Sequence, residues 1–143
     1  MSSSKILKGS CLCGAVKLST TRVNKHLGAC HCRICRKWGG SALLAVECRS
    51  EVNFSGAENI GIYPSSAWAE RGFCRQCGSH LFYRLKQNHQ YYIPVGIFEN
   101  SEDFIFDHQL FIDHKPAYYT FANETKNMTG AEVFAQFTPP ATQ

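Results

Sequence analysis

Seven of the chain's eight cysteines fall into three tight groups: Cys11 and Cys13 in GSCLCGAV, Cys30, Cys32 and Cys35 in CHCRICRK, and Cys74 and Cys77 in GFCRQCGSHLF. Within a group, only one or two residues separate neighbouring cysteines. Thiols this close are poorly spaced for stapling distant strands and well spaced for converging on one ion as thiolates. The chemistry implied is that of zinc. Zinc takes four protein ligands where it holds a fold together, and three where one position is left for water or substrate.

The first and last pairs are each followed by a glycine, Gly14 and Gly78, and each leads into a strand-like run. Such a turn points two thiolates at one ion. Glycine permits the left-handed backbone the turn needs, and backbone N–H groups can then bond the sulfurs. Together Cys11, Cys13, Cys74 and Cys77 make a closed, structural four-thiolate site. Closing a long loop with zinc contributes on the order of 10 kcal/mol to folding. The triplet Cys30, Cys32 and Cys35 has no matching pair. A fourth ligand from His31, Cys48 or a distant histidine would close it, whereas an exchangeable water or substrate would leave it open. Spacing alone leaves both readings standing. In an extended segment the His31 side chain points away from those of Cys30 and Cys32, and it is expected to face solvent. Cys48, in AVECRS, is expected to be a small buried residue at a strand end. His26, His80, His89, His108 and His114 are scattered and show no ligand spacing.

The elements that must carry these groups read as strands. Residues 15–20 (AVKLST) and 52–54 alternate, and 41–46 (SALLAV) form an apolar run of strand length. Residues 80–85 (HLFYRL) and 91–98 (YYIPVGIF) are rich in aromatic and β-branched side chains. Turn residues recur between these runs, as in an all-β domain. Residues 32–38 suggest a short helical turn, and 130–136 (GAEVFAQ) a C-terminal one. The expected fold is mainly β and antiparallel. At 143 residues, 44% of them hydrophobic, the chain is long enough to bury a core as one domain spanning 1–143.

The formal charge of +4 leaves out the thiols. Two divalent ions add four charges and seven thiolates remove seven, which brings it to about +1 and argues against a general polyanion partner. No apolar run approaches the roughly 20 residues that span a bilayer. MSSSKILKGS has no apolar core of signal-peptide length, so the expected compartment is a reducing one, the cytoplasm.

In their order and spacing, GSCLCGAV, CHCRICRK and RGFCRQCGSHLF resemble the glutathione-dependent formaldehyde-activating enzyme family, to which centromere protein V also belongs. The resemblance runs from Gly9 to Phe82, with looser similarity through HQLFIDHKPAYYTF. It implies a β-tent, antiparallel sheets stapled by zinc. It also implies two zinc ions: a structural one on Cys11, Cys13, Cys74 and Cys77, and a catalytic one on Cys30, Cys32 and Cys35 with an open position. The implied activity is that of a carbon–sulfur lyase making or breaking S-hydroxymethylglutathione from glutathione and formaldehyde.

In that setting the catalytic residues are Cys30, Cys32 and Cys35. Arg33, Arg36 and Lys37 are candidates to pair with the carboxylates of glutathione, or form a solvated basic turn. His31 is a candidate proton carrier. Trp38 is expected to line a pocket or join the core, Glu70 and Arg71 to lie on a strand surface, and Asp113 and Lys115 to build a turn or reach the site. Two other classes compete with the lyase: a non-catalytic carrier of glutathione or another thiol, and a zinc-ribbon-like module for nucleic acid or protein. The balanced charge disfavours the last. Neither a membrane nor a nucleic-acid partner is expected. The oligomeric state is not legible.

Overall fold

The computed structural model describes residues 5–137. Its elements follow in the order β1 (Leu7–Ser10), β2 (Lys17–Thr20), β3 (His26–Cys30), α1 (Arg33–Gly39), β4 (Leu43–Glu47), β5 (Asn53–Ser55), β6 (Ile60–Tyr63), β7 (Ala69–Cys74), β8 (His80–Leu85), β9 (Tyr91–Pro94), β10 (Ile105–Leu110), β11 (Lys126–Met128) and α2 (Gly130–Phe137). The protein is mainly β. It divides into two compact units: the first runs to Lys25 and resumes over Ala45–Phe104, while the second takes His26–Leu44 and the chain from Ile105 onward. Among the described residues no helix is long and apolar enough to cross a membrane.

The first unit is antiparallel throughout. A three-stranded sheet runs β1–β2–β5, and a second sheet runs from the end of β4 through β9, β8 and β7 to β6. Leu18, Val46, Leu81, Phe82, Tyr91 and Ile93 of these strands, with Val16 just before β2, are buried in the core. Phe54 of β5 packs 5.5 Å from the Phe82 ring and 5.7 Å from Tyr91, and those two meet edge to face at 4.9 Å. These aromatic pairs join the two sheets. The run 91–98 does not stay extended: β9 ends at Pro94, and Val95–Ile97 form a 3-10 turn. Proline supplies no N–H to continue a ladder.

In the second unit, β10 pairs parallel with both β3 and β11. Parallel partners need long crossovers, so local alternation does not reveal them. The short turn expected at 32–38 is α1, and the C-terminal one is α2. Thr129 and Glu132 close a capping box at the start of α2: the Thr129 N–H donates to Glu132 Oε1 (2.7 Å) and the Glu132 N–H to Thr129 Oγ1 (3.2 Å).

Candidate metal centres

In the first unit the sulfurs of Cys11, Cys13, Cys74 and Cys77 all lie within 4.8 Å of one another. Cys11 and Cys13 Sγ are 3.7 Å apart, and Cys13 and Cys74 Sγ 3.8 Å. Four sulfurs placed tetrahedrally at about 2.3 Å from zinc stand about 3.8 Å from each other, so the donor set has the size of a zinc shell. Gly14 (φ 82°) and Gly78 (φ 81°) take the left-handed conformation expected of them. Their N–H groups close each turn on Cys11 O (3.2 Å) and Cys74 O (2.8 Å). The Val16 N–H donates to Cys11 Sγ and the Gln76 N–H to Cys74 Sγ, both at 3.3 Å.

Ser79, to which the sequence drew no attention, links the two turns. Its Oγ accepts the Leu12 N–H (3.0 Å) and, 3.2 Å from Cys77 Sγ, has its own proton free to donate there. The Ser79 hydroxyl, followed by its backbone N–H, pulls the Cys77 thiol down to about 5.

In the second unit β3 ends at Cys30, and α1 begins after Cys32, which is its N-cap. The sulfurs of Cys30, Cys32 and Cys35 lie within 4.8 Å of one another. The Cys35 N–H donates to Cys32 Sγ (3.3 Å), which fixes that sulfur at the helix start. Cys30 is driven far above the usual thiol range, first by the thiols of Cys32 and Cys35 and then by burial. Three crowded thiols resist joint ionisation until a cation arrives, and a divalent ion fits that need. Arg33 and Lys37 are exposed one turn apart on α1. Arg36 is half-buried, and its Nε donates to His31 O (2.9 Å), bracing the segment between the first two cysteines.

Two expectations are overturned here. His31 does not face solvent: its residual exposure is 0%. Its ring contacts Tyr119 Oη through Nδ1 (2.8 Å) and Gln109 Oε1 through Nε2 (2.7 Å), and it stacks on Tyr119 at 5.6 Å. Burial, aided by the charges of Lys115 and Arg36, outweighs the Gln109 bond and pushes its pKa below the usual imidazole value. Arg71 is not on the strand surface either. It is 2% exposed, donates to Ser65 Oγ (3.1 Å) and lies over the Tyr83 ring at 4.9 Å. Its neighbour Glu70 is half-buried and paired with Arg84.

Cys48 is fully buried as expected, its Sγ directed at Val46 O (3.7 Å), and burial pushes its thiol up to about 12. Trp38 is half-buried. Lys115 and Asp113 build local structure: Lys115 Nζ donates to the carbonyls of Pro116 and Tyr119, and Asp113 Oδ1 accepts the Gly130 N–H (2.8 Å).

Set against known proteins, residues 6–114 match the model of the glutathione-dependent formaldehyde-activating enzyme family, a stretch that holds all seven clustered cysteines. The chain belongs to this family. A Schizosaccharomyces pombe protein named an uncharacterized lyase is 39% identical over 127 residues, which cover 88% of this chain and 93% of that protein. A putative glutathione-dependent formaldehyde-activating enzyme of Halomonas elongata is 33% identical over 86 residues, 54% of this chain and 55% of its own length. One of the same name from Podospora anserina is 31% identical over 57% of this chain and 41% of its own length. The chain thus spans nearly all of the first relative and about half or less of the other two. The crystal structure of a Rhodobacter sphaeroides protein superposes with a TM-score of 0.52 at 31% identity, covering 65% of this chain and 88% of that one.

The family match ends at His114, yet the polar chain around His31 continues beyond it. Gln109 Nε2 donates to Thr125 Oγ1 (2.9 Å), whose hydroxyl donates to Asn127 Oδ1 (2.7 Å). This direction leaves Gln109 Oε1 to accept from His31 Nε2. Neutral imidazole carries one N–H, so in that form Nδ1 accepts from the Tyr119 hydroxyl. Gln109 and Tyr119 fall in the stretch HQLFIDHKPAYYTF, but its spacing did not single them out, because their partner His31 is 78 and 88 residues away.

Proposed function

We propose that this member of the family is a zinc-dependent carbon–sulfur lyase acting on the adduct of glutathione and formaldehyde, or on a related thiol–aldehyde adduct. The observation that carries this reading is the donor set of Cys30, Cys32 and Cys35, three grouped sulfurs that no fourth residue joins among the described residues. Both ring nitrogens of His31 are engaged elsewhere. The reading assigns two zinc ions: Cys11, Cys13, Cys74 and Cys77 hold the structural one, and the triplet holds the other with one position open.

Zinc on the triplet would supply the charge that keeps a bound thiol ionised near neutral pH. The rest falls to the chain. Three thiolates outweigh a divalent ion, and an incoming thiolate adds further negative charge. Arg33, Arg36 and Lys37, all within two residues of a triplet cysteine, offset it and pair with the carboxylates of glutathione. Cleavage breaks the C–S bond, and its electron pair leaves with sulfur. The O–H pair of the adduct becomes the second C–O bond of formaldehyde, and its proton passes to solvent. The reverse sequence forms the adduct. Residues 1–143 acting as one zinc-binding domain, in the reducing cytoplasm, complete the proposal.

The test is NMR exchange between formaldehyde, glutathione and their adduct, read as the excess over the uncatalysed rate. Zinc-loaded protein is expected to give an excess that Cys35→Ser abolishes. Protein holding two zinc ions with no excess rate would move the reading to a non-catalytic thiol carrier.

A further inference from the structure

We infer that a cavity of the first unit, lined by none of the clustered cysteines, is a binding site for a small phosphate monoester, held by Arg49 and Lys5. The inference does not depend on the reading of Cys30, Cys32 and Cys35.

The cavity measures about 670 Å³, within the roughly 300–1,000 Å³ of small-molecule sites. Lys5, Arg22, Lys25 and Arg49 line it, against the two carboxylates of Glu47 and Asp103. Part of this charge is already matched. Lys25 Nζ donates to Asp103 Oδ2 (2.7 Å), Arg22 Nε to Glu51 Oε1 (2.9 Å), and Glu47 takes the Gln90 amide. Lys5 and Arg49 have no ion pair among the described residues. Two unmatched cations in one concave wall focus their field on an anion that enters it.

Backbone bonds fix the walls. Arg49 holds a left-handed conformation, φ 52°, which residues with a Cβ seldom adopt. Its turn is pinned to β9: the Tyr91 N–H donates to Arg49 O (2.7 Å) and the Cys48 N–H to Tyr91 O (2.9 Å). The segment carrying Arg22 and Lys25 is tied down as well. There the Asn24 N–H donates to Glu47 O (2.9 Å) and the Arg22 N–H to Thr20 Oγ1 (3.1 Å). Arg49 thus stands on a fixed turn, with no carboxylate competing for its donors.

A guanidinium beside an ammonium suits a phosphate dianion, which takes paired N–H bonds from arginine and a point charge from lysine. The cavity is far larger than a bare oxyanion, and Leu7 and Val23 add apolar lining. An organic group on the phosphate fills that space, and the carboxylates of Glu47 and Asp103 are acceptors for its hydroxyls.

Isothermal titration calorimetry on the full-length protein tests this, with glucose 6-phosphate, inorganic phosphate and glucose as probes. At about pH 8 the phosphate is doubly charged, and salt at about 0.15 M screens diffuse surface attraction. Glucose 6-phosphate is expected to bind at a single site, inorganic phosphate about tenfold more weakly, and glucose not at all. Arg49→Gln and Lys5→Gln are each expected to weaken glucose 6-phosphate about tenfold, the worth of one charge-assisted hydrogen bond. Both side chains are exposed and outside any ion pair, so circular dichroism is expected to show an unchanged fold. Lys17→Gln removes an exposed cation that does not line the cavity and is expected to leave binding unchanged. No binding of glucose 6-phosphate, full affinity in Arg49→Gln and Lys5→Gln, or an equal loss in Lys17→Gln would overturn the site. Inorganic phosphate binding as tightly as glucose 6-phosphate would overturn the assignment of an ester.

Discussion

Ser79 Oγ lies 3.2 Å from Cys77 Sγ while accepting the N–H of Leu12, so one hydroxyl ties the second cysteine turn to the first. This bond needs no side chain larger than serine, and it stabilises the charge on the sulfur. Ser79→Ala is expected to weaken metal binding at the four-cysteine centre by about tenfold, in the range seen when groups behind metal ligands are removed. Competition against a chromogenic chelator reads this directly. Unchanged affinity would mean that the backbone N–H groups alone orient Cys77.

The two centres are expected to differ in what their loss does. Cys74→Ser is expected to break a four-ligand site of the first unit, removing stabilisation on the order of 10 kcal/mol, and the chain is expected to lose its far-ultraviolet β signature. Cys35→Ser is expected to keep the fold and drop the zinc content from two ions to one. Elemental analysis beside circular dichroism separates the two variants.

Gln109 is buried between His31 and Thr125 and bonds both. Gln109→Ala strips a partner from each and is expected to cost about 1–3 kcal/mol in urea unfolding. Gln109→Glu, which keeps an acceptor toward His31, is expected to recover part of that loss. Equal destabilisation by both variants would show that side-chain packing, rather than the bond to His31, sets the cost.

Arg84 reaches Glu70 through Nε at 2.9 Å and Tyr91 Oη through Nη1 at 3.0 Å, in a setting where both partners of the ion pair are less than one-fifth exposed. Removing the carboxylate leaves a half-buried guanidinium without its counter-charge. Glu70→Ala is expected to destabilise the protein by about 2 kcal/mol, more than a surface pair would. A loss below about 0.5 kcal/mol in thermal unfolding would place the pair among ordinary surface contacts.

What the sequence made legible was whatever depends on near neighbours. The cysteine pairs, the glycines behind them, the strand at His80–Leu85 and the helix at Gly130–Phe137 are all set by residues a few positions apart. His31 was misread for the complementary reason. Its place between two cysteines suggests exposure, but its burial is decided by Gln109 and Tyr119, 78 and 88 residues away. Arg71 does sit in a strand as expected, but it is buried rather than at the surface, where Tyr83 and Ser65 meet it. The parallel pairing of β3 with β10 was hidden because its two strands have most of the first unit between them in sequence.

The four-cysteine centre also sets an order of events in the life of each molecule. Cys13 and Cys74 are 61 residues apart, and at about 5–20 residues per second a ribosome needs roughly 3–12 s to make the second after the first. Through that interval the leading pair is a bare dithiol with half a ligand shell, exposed to oxidants and to other metals. The four-cysteine cluster is complete only when its last pair arrives, so a metal ion it is to hold can be enclosed only from that moment.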